Sequence, residues 1–315
     1  MQAQNNSKGI LYILIGMALF SIQDALIKFI YEEVALYELY FGRTATALIL
    51  LVSYLKLSKQ KIVLKTYYPL LTVLRVFCFF FGFSFFYISL TYMSLAEANA
   101  LFFSSPFFIS ILATIILKEK VGFRRWSAIF IGFIGVFIVL NPDFNNFNYM
   151  KLAPVICALC YSISMTITKI TSDKDNVYTQ MIHLYFGAII ISVLFFIFAG
   201  KGQYNNFIDP TFQFIFREWG TNLSFSMPFI IGMGAIATFS FYFVFNAYSI
   251  ASPSVISIYE YSLIIWSILT GFILFNNIPT LRTFIGVAII IGAGIYIYIR
   301  EKTKDQMIVT DTPNR

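Results

Sequence analysis

Ten apolar runs, each close to the roughly 20 residues a helix needs to cross hydrocarbon, fill this chain almost from end to end. They lie at about 10–31, 36–55, 69–92, 96–117 and 125–141, and again at about 150–170, 177–199, 225–249, 253–275 and 282–300. Within a bilayer each run must satisfy its own backbone, which predicts an all-α, polytopic membrane protein of ten transmembrane helices. Several connections are only a few residues long, so successive helices must run antiparallel. The connection at about 200–224 is longer and predicts a short surface helix around Thr211–Trp219. Composition agrees: the 315 residues are 59% hydrophobic and 12% charged, more apolar surface than a water-soluble domain can hide.

The runs form two sets of five. Leu39-Tyr40-Phe41-Gly42 in the second run returns as Leu184-Tyr185-Phe186-Gly187 in the seventh. The first and sixth runs share Ser, Ile and Lys at equal spacing, in Phe20–Lys28 and Tyr161–Lys169. The fifth and tenth share Ala128–Gly132 against Ala288–Gly292, small residues of the kind that let helices approach closely. Biased composition explains any one of these, but it explains the three in the same order poorly. A repeat with an odd number of spans must insert upside-down relative to its partner, the arrangement of many secondary transporters. The expected divisions are a cytoplasmic N-terminus at 1–9, a first five-helix repeat at 10–142, a second at 150–300, and a disordered cytoplasmic tail at 301–315.

Charge sets the direction. Lys56, Lys59, Lys61 and Lys65 follow the second run; Lys118, Lys120, Arg124 and Arg125 follow the fourth; Lys174 follows the sixth; Arg300, Lys302 and Lys304 follow the tenth. The alternate connections hold Glu32, Glu33, Asp143 and Asp209. The positive-inside rule then places both termini in the cytoplasm of a multi-pass protein of the cell inner membrane. The net charge of +7 is spread over these loops, which argues against nucleic acid as a partner. The first run is too long for a signal peptide and no small-residue cleavage site follows it. Cys78, Cys157 and Cys160 all fall in apolar runs, so packing is favoured over disulfide, redox or zinc chemistry.

An ionisable group near the centre of a span costs about 2.5–3.5 kcal/mol on insertion scales and needs a reason to be there. Asp24 and Lys28 are four apart on one face of the first helix. At about 1.5 Å rise per residue from the turn near Glu33, Asp24 and Arg43 reach equal depth, as do Lys28 and Glu38 nearer the edge. Two opposite-charge pairs are therefore expected, the deeper one lining a polar cavity or an outer gate. The shallower one is either a gate or a permanent brace. Arg75 either snorkels from the third helix or joins the site. His183, the one histidine, is either an interfacial group or a proton carrier. Glu260, flanked by Tyr259 and Tyr261, has no sequence partner and is expected to face water or a cationic ligand that the two tyrosines could stack upon. Asn99, with Glu97 beside it, and Asn246 complete the polar candidates. No phosphate loop, metal cluster or nucleophilic triad is present, so ATP-driven transport and hydrolysis are not expected, and no cofactor, metal or catalytic residue is implied.

Leu117-Lys-Glu119-Lys-Val-Gly-Phe-Arg124-Arg125-Trp126, followed by Gly132-Phe-Ile-Gly135-Val, resembles the junction of spans four and five in drug/metabolite transporter superfamily proteins with EamA-type repeats. Arg43, Leu74-Arg75 and Pro106 resemble that family too, across roughly residues 10–300. In the second half Asn277 replaces the usual acidic residue and Tyr261-Ser262-Leu263 departs from an acidic-proline pair. The resemblance implies a ten-helix carrier whose central cavity is lined mainly by spans one, three, four, six, eight and nine. Asp24-x-x-x-Lys28, Glu38-x-x-x-x-Arg43 and Leu74-Arg75 together look closest to the branch that includes S-adenosylmethionine uptake carriers. The resulting expectation is a non-enzymatic secondary transporter, monomer or homodimer in the lipid bilayer, moving a small polar organic metabolite by alternating access. The competing class is a non-transporting scaffold or lipid-handling protein.

Overall fold

The computed structural model describes residues 6–118, 123–140, 149–206 and 209–310. Expectations that rest on Glu119, Lys120 and Asp143 lie outside the described residues. The described chain is helical, with no strand among the described residues: α1 Asn6–Ile30, α2 Leu36–Leu57, α3 Pro69–Ser89, α4 Leu95–Phe102, α5 Ser105–Ile115, α6 Phe123–Leu140, α7 Ala153–Thr171, α8 Val177–Ala199, α9 Pro210–Phe216, α10 Leu223–Ile250, α11 Pro253–Tyr259, α12 Ser262–Phe275 and α13 Leu281–Thr310. Seven helical stretches among the described residues are long and apolar enough to cross a membrane, with shorter apolar helices at Phe130–Val139 and Leu281–Ala293. The surface helix forms at Pro210–Phe216, capped by Asp209, whose side chain accepts from Thr211 N–H at 2.8 Å.

Two expected spans are broken in the middle. The run at 96–117 is α4 and α5, and the run at 253–275 is α11 and α12. Pro106, in the first turn of α5, has no N–H to give the carbonyl four residues back, so the helix stops and restarts there. Ser104 N–H instead bonds Leu101 O at 3.2 Å, a tighter one-turn step. The second break carries no proline. It tightens in the same way, with Glu260 N–H on Ser257 O at 3.3 Å and Leu263 N–H on Glu260 O at 2.9 Å.

The helices of the two halves interleave. The most extensively packed pairs are α1 with α10, α6 with α13, α3 with α7, and α2 with α8 and α10, and each joins one half to the other. The pairs are related by the repeat: α1 on α10 matches α7 on α3, and α2 on α10 matches α8 on α3. The repeated tetrapeptide shows why. A Cβ on Gly42 would lie 2.4 Å from Ile230 of α10, and one on Gly187 would lie 2.4 Å from Val76 of α3. Only glycine admits these approaches. The tyrosines agree: Tyr40 Oη donates to Phe80 O of α3 at 3.3 Å, and Tyr185 Oη to Ala237 O of α10 at 3.2 Å. The fifth and tenth runs do cross at glycines, though not those the aligned pattern picked. Gly135 and Gly286 meet face to face, a Cβ on either lying within 2.8 Å of the other's carbonyl oxygen, whereas Gly292 faces open space.

Polar contacts gather the connections into two opposite ends. At one, the α2–α3 connection meets the α7–α8 turn: Asp175 accepts from Thr66 Oγ1 and, at 3.1 Å, from Tyr67 N–H, while Tyr68 Oη donates to Asp173 at 2.9 Å. At the other, the α1–α2 turn meets the 217–222 segment: Arg217 donates to Tyr31 O at 3.0 Å and Asn222 to Glu33. Burial pulls the Arg217 guanidinium below its usual value, and Glu33, Glu32 and Glu38 act against that pull.

Candidate functional site

The expected pairs of charges do not form as drawn. Lys28 and Glu38 each settle on backbone. Lys28 Nζ donates to Leu90 O at 2.9 Å and Met93 O at 2.7 Å, neutralising the carbonyls that close α3. Its counterpart in the repeat, Lys169, does the same for α10, donating to Ser249 O at 3.2 Å and Ala251 O at 2.9 Å. Glu38 lies in the first turn of α2, close to the backbone of Gly220 and Ala35. A helix end offers several unsatisfied groups at fixed positions, and here it outcompetes a lone opposite charge on the neighbouring helix. The expected Lys28–Glu38 pair is thereby replaced.

Asp24 and Arg43 do approach, within electrostatic reach of each other. Tyr87 lies within electrostatic reach of both. Arg43 Nη1 donates to Tyr87 Oη at 2.8 Å, and its guanidinium lies over the Tyr40 and Tyr87 rings at 4.9 and 5.6 Å. Gln23 Nε2 donates to the same Tyr87 oxygen at 3.3 Å. Asp24, Arg43, Asn99 and Glu260 are all buried.

Glu260 sits in the break between α11 and α12, fully enclosed rather than open to water. Its Oε1 accepts from Tyr161 Oη and Tyr248 Oη, both at 2.6 Å, and its Oε2 from Ser105 Oγ at 3.4 Å. Ser105 lies at the break between α4 and α5, and Ser162 Oγ donates to its carbonyl at 3.1 Å. One carboxylate thus ties the two broken helices to α7 and α10. Sequence reasoning passed over Tyr161 and Tyr248; the signal was the first repeat's Phe20, which becomes Tyr161, a hydroxyl added at a matched position.

The other candidates divide. Asn99 is fully buried on α4 with neither amide atom bonded. Arg75 does not snorkel: it is fully buried, donating to Gln180 Oε1, to Gln180 O at 3.5 Å and to Thr171 Oγ1 at 3.5 Å, with its guanidinium 5.7 Å from the Phe245 ring centre. It braces α3 against the α7–α8 turn. His183 Nε2 bonds Leu64 O at 2.8 Å, in the α2–α3 connection. Asn246 turns back on its own helix, donating to Tyr242 O at 2.8 Å, and does not join Glu260. Tyr261 packs against Phe103 at a tilt of 57°, ring centres 5.5 Å apart, and Tyr259 is half-buried on α11. Neither ring lines the space beside Asp24. Cys78 of α3 and Cys160 of α7 are free thiols, and Cys157 is free and buried.

Between these groups lie two small cavities. One, about 10 Å3, is bounded by Asp24, Asn99, Tyr161, Phe83 and further rings; the other, about 20 Å3, by Arg43, Tyr40, Tyr185 and Phe83. Each has room for about one water molecule. The walls come from α1, α3, α4, α7 and α12 in the first case and α2, α3, α8 and α10 in the second. A wider groove of about 470 Å3 lies between α2, α8 and α10, walled by Leu50, Tyr54, Tyr178 and Phe239, and includes none of the charged candidates.

The model of the EamA-like transporter family matches this chain twice, at residues 7–141 and 150–299. The chain belongs to that family. Its relatives include an S-adenosylmethionine uptake transporter of Rickettsia prowazekii (strain Madrid E), 27% identical, covering 93% of both chains. A riboflavin transporter of Vibrio cholerae serotype O1 is 26% identical over 83% of this chain and 82% of its own. A pseudopaline exporter of Pseudomonas aeruginosa is 22% identical over 91% and 94% respectively. A crystal structure at 16% identity superposes with a TM-score of 0.66 over 93% of this chain and 98% of that one, which shows the fold. This EamA-like chain is therefore a transporter of small metabolites and not an enzyme, a multi-pass membrane protein built of apolar helices.

Proposed function

We propose that this protein is a secondary transporter that carries a small polar organic metabolite of the S-adenosylmethionine kind across the bacterial inner membrane by alternating access. The observation that carries the reading is the Glu260 hub. Two helices broken at mid-length meet at a buried carboxylate, the arrangement in which transporters place substrate and coupling sites. Full-length similarity to S-adenosylmethionine uptake transporters supports the substrate class. We read α4 with α5 and α11 with α12 as single broken spans, giving ten spans in two inverted repeats, 10–142 and 150–300. Both termini are cytoplasmic in this reading. The lysine-bearing connection at 58–65 and the acidic turn at Glu32 and Glu33 lie at opposite ends of the bundle, which supports that orientation.

Alternating access then means loosening one end while the other stays made. The two ends are closed by equivalent devices, Lys28 on the end of α3 and Lys169 on the end of α10, so the two states exchange the roles of the two halves. Asp24, Arg43, Asn99 and Glu260 form the substrate and gating set, while Lys28, Glu38, Arg75 and His183 hold the ends.

The test is uptake into proteoliposomes of radiolabelled metabolites, with S-adenosylmethionine, riboflavin and amino acids in the panel. Accumulation or exchange of S-adenosylmethionine is expected. Failure to move any member would sink the carrier reading and leave a scaffold role in its place.

A further inference from the structure

The two cavities beside Phe83 allow one more step, which rests on the carrier reading above. We propose that they are the two ends of one binding site for a zwitterion: its organic cation lies against Asp24, its carboxylate against Arg43, and Phe83 is the partition that swings aside on binding.

The first end is a carboxylate among rings. Asp24 shares its cavity with Phe20, Phe83, Phe86, Phe102 and Tyr161. Ring faces attract cations, and most of all a weakly hydrated one such as a sulfonium or quaternary ammonium, which gives up little water on entering. The same wall holds Asn99, fully buried, with its amide nitrogen and oxygen both unbonded. Leaving a buried polar group so costs about 1–3 kcal/mol. Its free donor and acceptor lie side by side, the pattern that meets an amide or the edge of a nucleobase.

The second end is a cation with a donor to spare. Arg43 is held through Nη1 by Tyr87, but its Nε is buried and unbonded. The remaining wall of this cavity includes Tyr40, Phe79, Tyr185 and Phe241 and contains no acid. A guanidinium with free N–H groups in an apolar wall is matched to a carboxylate.

Phe83 alone lines both cavities. Its ring is held by other rings, among them Phe79 at 5.6 Å, Tyr87 at 5.9 Å and Tyr161 at 6.2 Å between centres. Rotating it breaks no hydrogen bond and joins the two spaces. Asp24 and Arg43 lie within electrostatic reach of each other, yet Arg43 Nη1 is bonded to Tyr87 rather than to Asp24, so a ligand that brings one charge to each satisfies both without breaking a hydrogen-bonded ion pair first.

The test is equilibrium binding to the full chain in lipid nanodiscs. The probes are S-adenosylmethionine, its neutral thioether S-adenosylhomocysteine, and its decarboxylated sulfonium. The intact protein is expected to bind the first at least 10-fold more tightly than either of the others. Asp24→Asn should abolish the preference for sulfonium over thioether and keep the preference for the carboxylate. Arg43→Gln should do the reverse, with the neutral Arg43→Met as the substitute if Gln prevents folding. Equal weakening of all three probes by both variants would overturn the proposal. So would an intact protein that fails to discriminate among the probes, or that binds none of them while still carrying another member of the uptake panel. In each of these cases uptake itself would leave the carrier reading standing.

Discussion

Glu260 gathers three side-chain hydrogen bonds, and each comes from a different helix. Hydrogen bonds to a charged group contribute about 1.5–3 kcal/mol each. Tyr161→Phe and Tyr248→Phe each remove one such bond at 2.6 Å without changing shape. Each should lower the thermal midpoint in detergent, and the double variant should lose less than the sum, because both serve one oxygen. Glu260→Gln keeps an acceptor oxygen for the two tyrosines but loses the charge, so it should lower the midpoint by less than the double tyrosine variant and abolish uptake. A Gln variant with unchanged uptake would reduce the hub to a brace. The two lysines make a second residue-scale prediction. Lys28→Met and Lys169→Met each expose the end of one helix, at a cost of about 0.3–1 kcal/mol, up to about 2 where partly buried. If they hold opposite ends, the first should raise labelling of sites exposed on the outside and the second of sites exposed on the inside, as read by cysteine modification.

At the scale of elements, the structure rests on glycine contacts and on two helix breaks, one of them at a proline. A Cβ at Gly42 meets Ile230 Cγ2 at 2.4 Å, so Gly42→Ala should overpack the α2–α10 contact by about 1–3 kcal/mol. Trimming the obstacle in Gly42→Ala/Ile230→Ala should recover part of the thermal midpoint, whereas equal losses from the two changes would place the strain elsewhere. Pro106→Ala restores a donor to the α4–α5 junction. The expected outcome is a more stable protein with slower uptake, because a straightened helix carries Ser105 away from Glu260. A variant that is both less stable and fully active would show that the break is incidental.

For the whole molecule, the interleaving of halves means that neither repeat buries its own helices: α1 lies on α10 and α7 on α3. Orientation is checked at the same scale. In a variant lacking Cys78, Cys157 and Cys160, a membrane-impermeant maleimide added to intact cells should label Thr221→Cys and spare Lys61→Cys, both of which replace exposed residues. The reverse pattern would invert the assigned topology.

Helix existence, the repeat, the surface helix at Pro210–Phe216 and the intramembrane positions of Asp24, Arg43, Asn99 and Glu260 were legible in the chain, because hydropathy and charge in a bilayer act locally; that Glu260 would be fully enclosed was not. Partner choice was not. Equal depth made Lys28 and Glu38 look like a pair, yet depth is one coordinate, and rotation about each helix sends them to backbone at different helix ends. Glu260 looked solitary because its partners, Tyr161 and Tyr248, lie in other spans. Broken spans were equally hidden, since a helix with a mid-length kink keeps its hydropathy. The sequence by itself determined that this chain is a doubled set of membrane helices with charges it must use. Only the tertiary structure decided which charges meet, because that depends on how the two halves interleave, and interleaving is set by contacts between residues far apart in the chain.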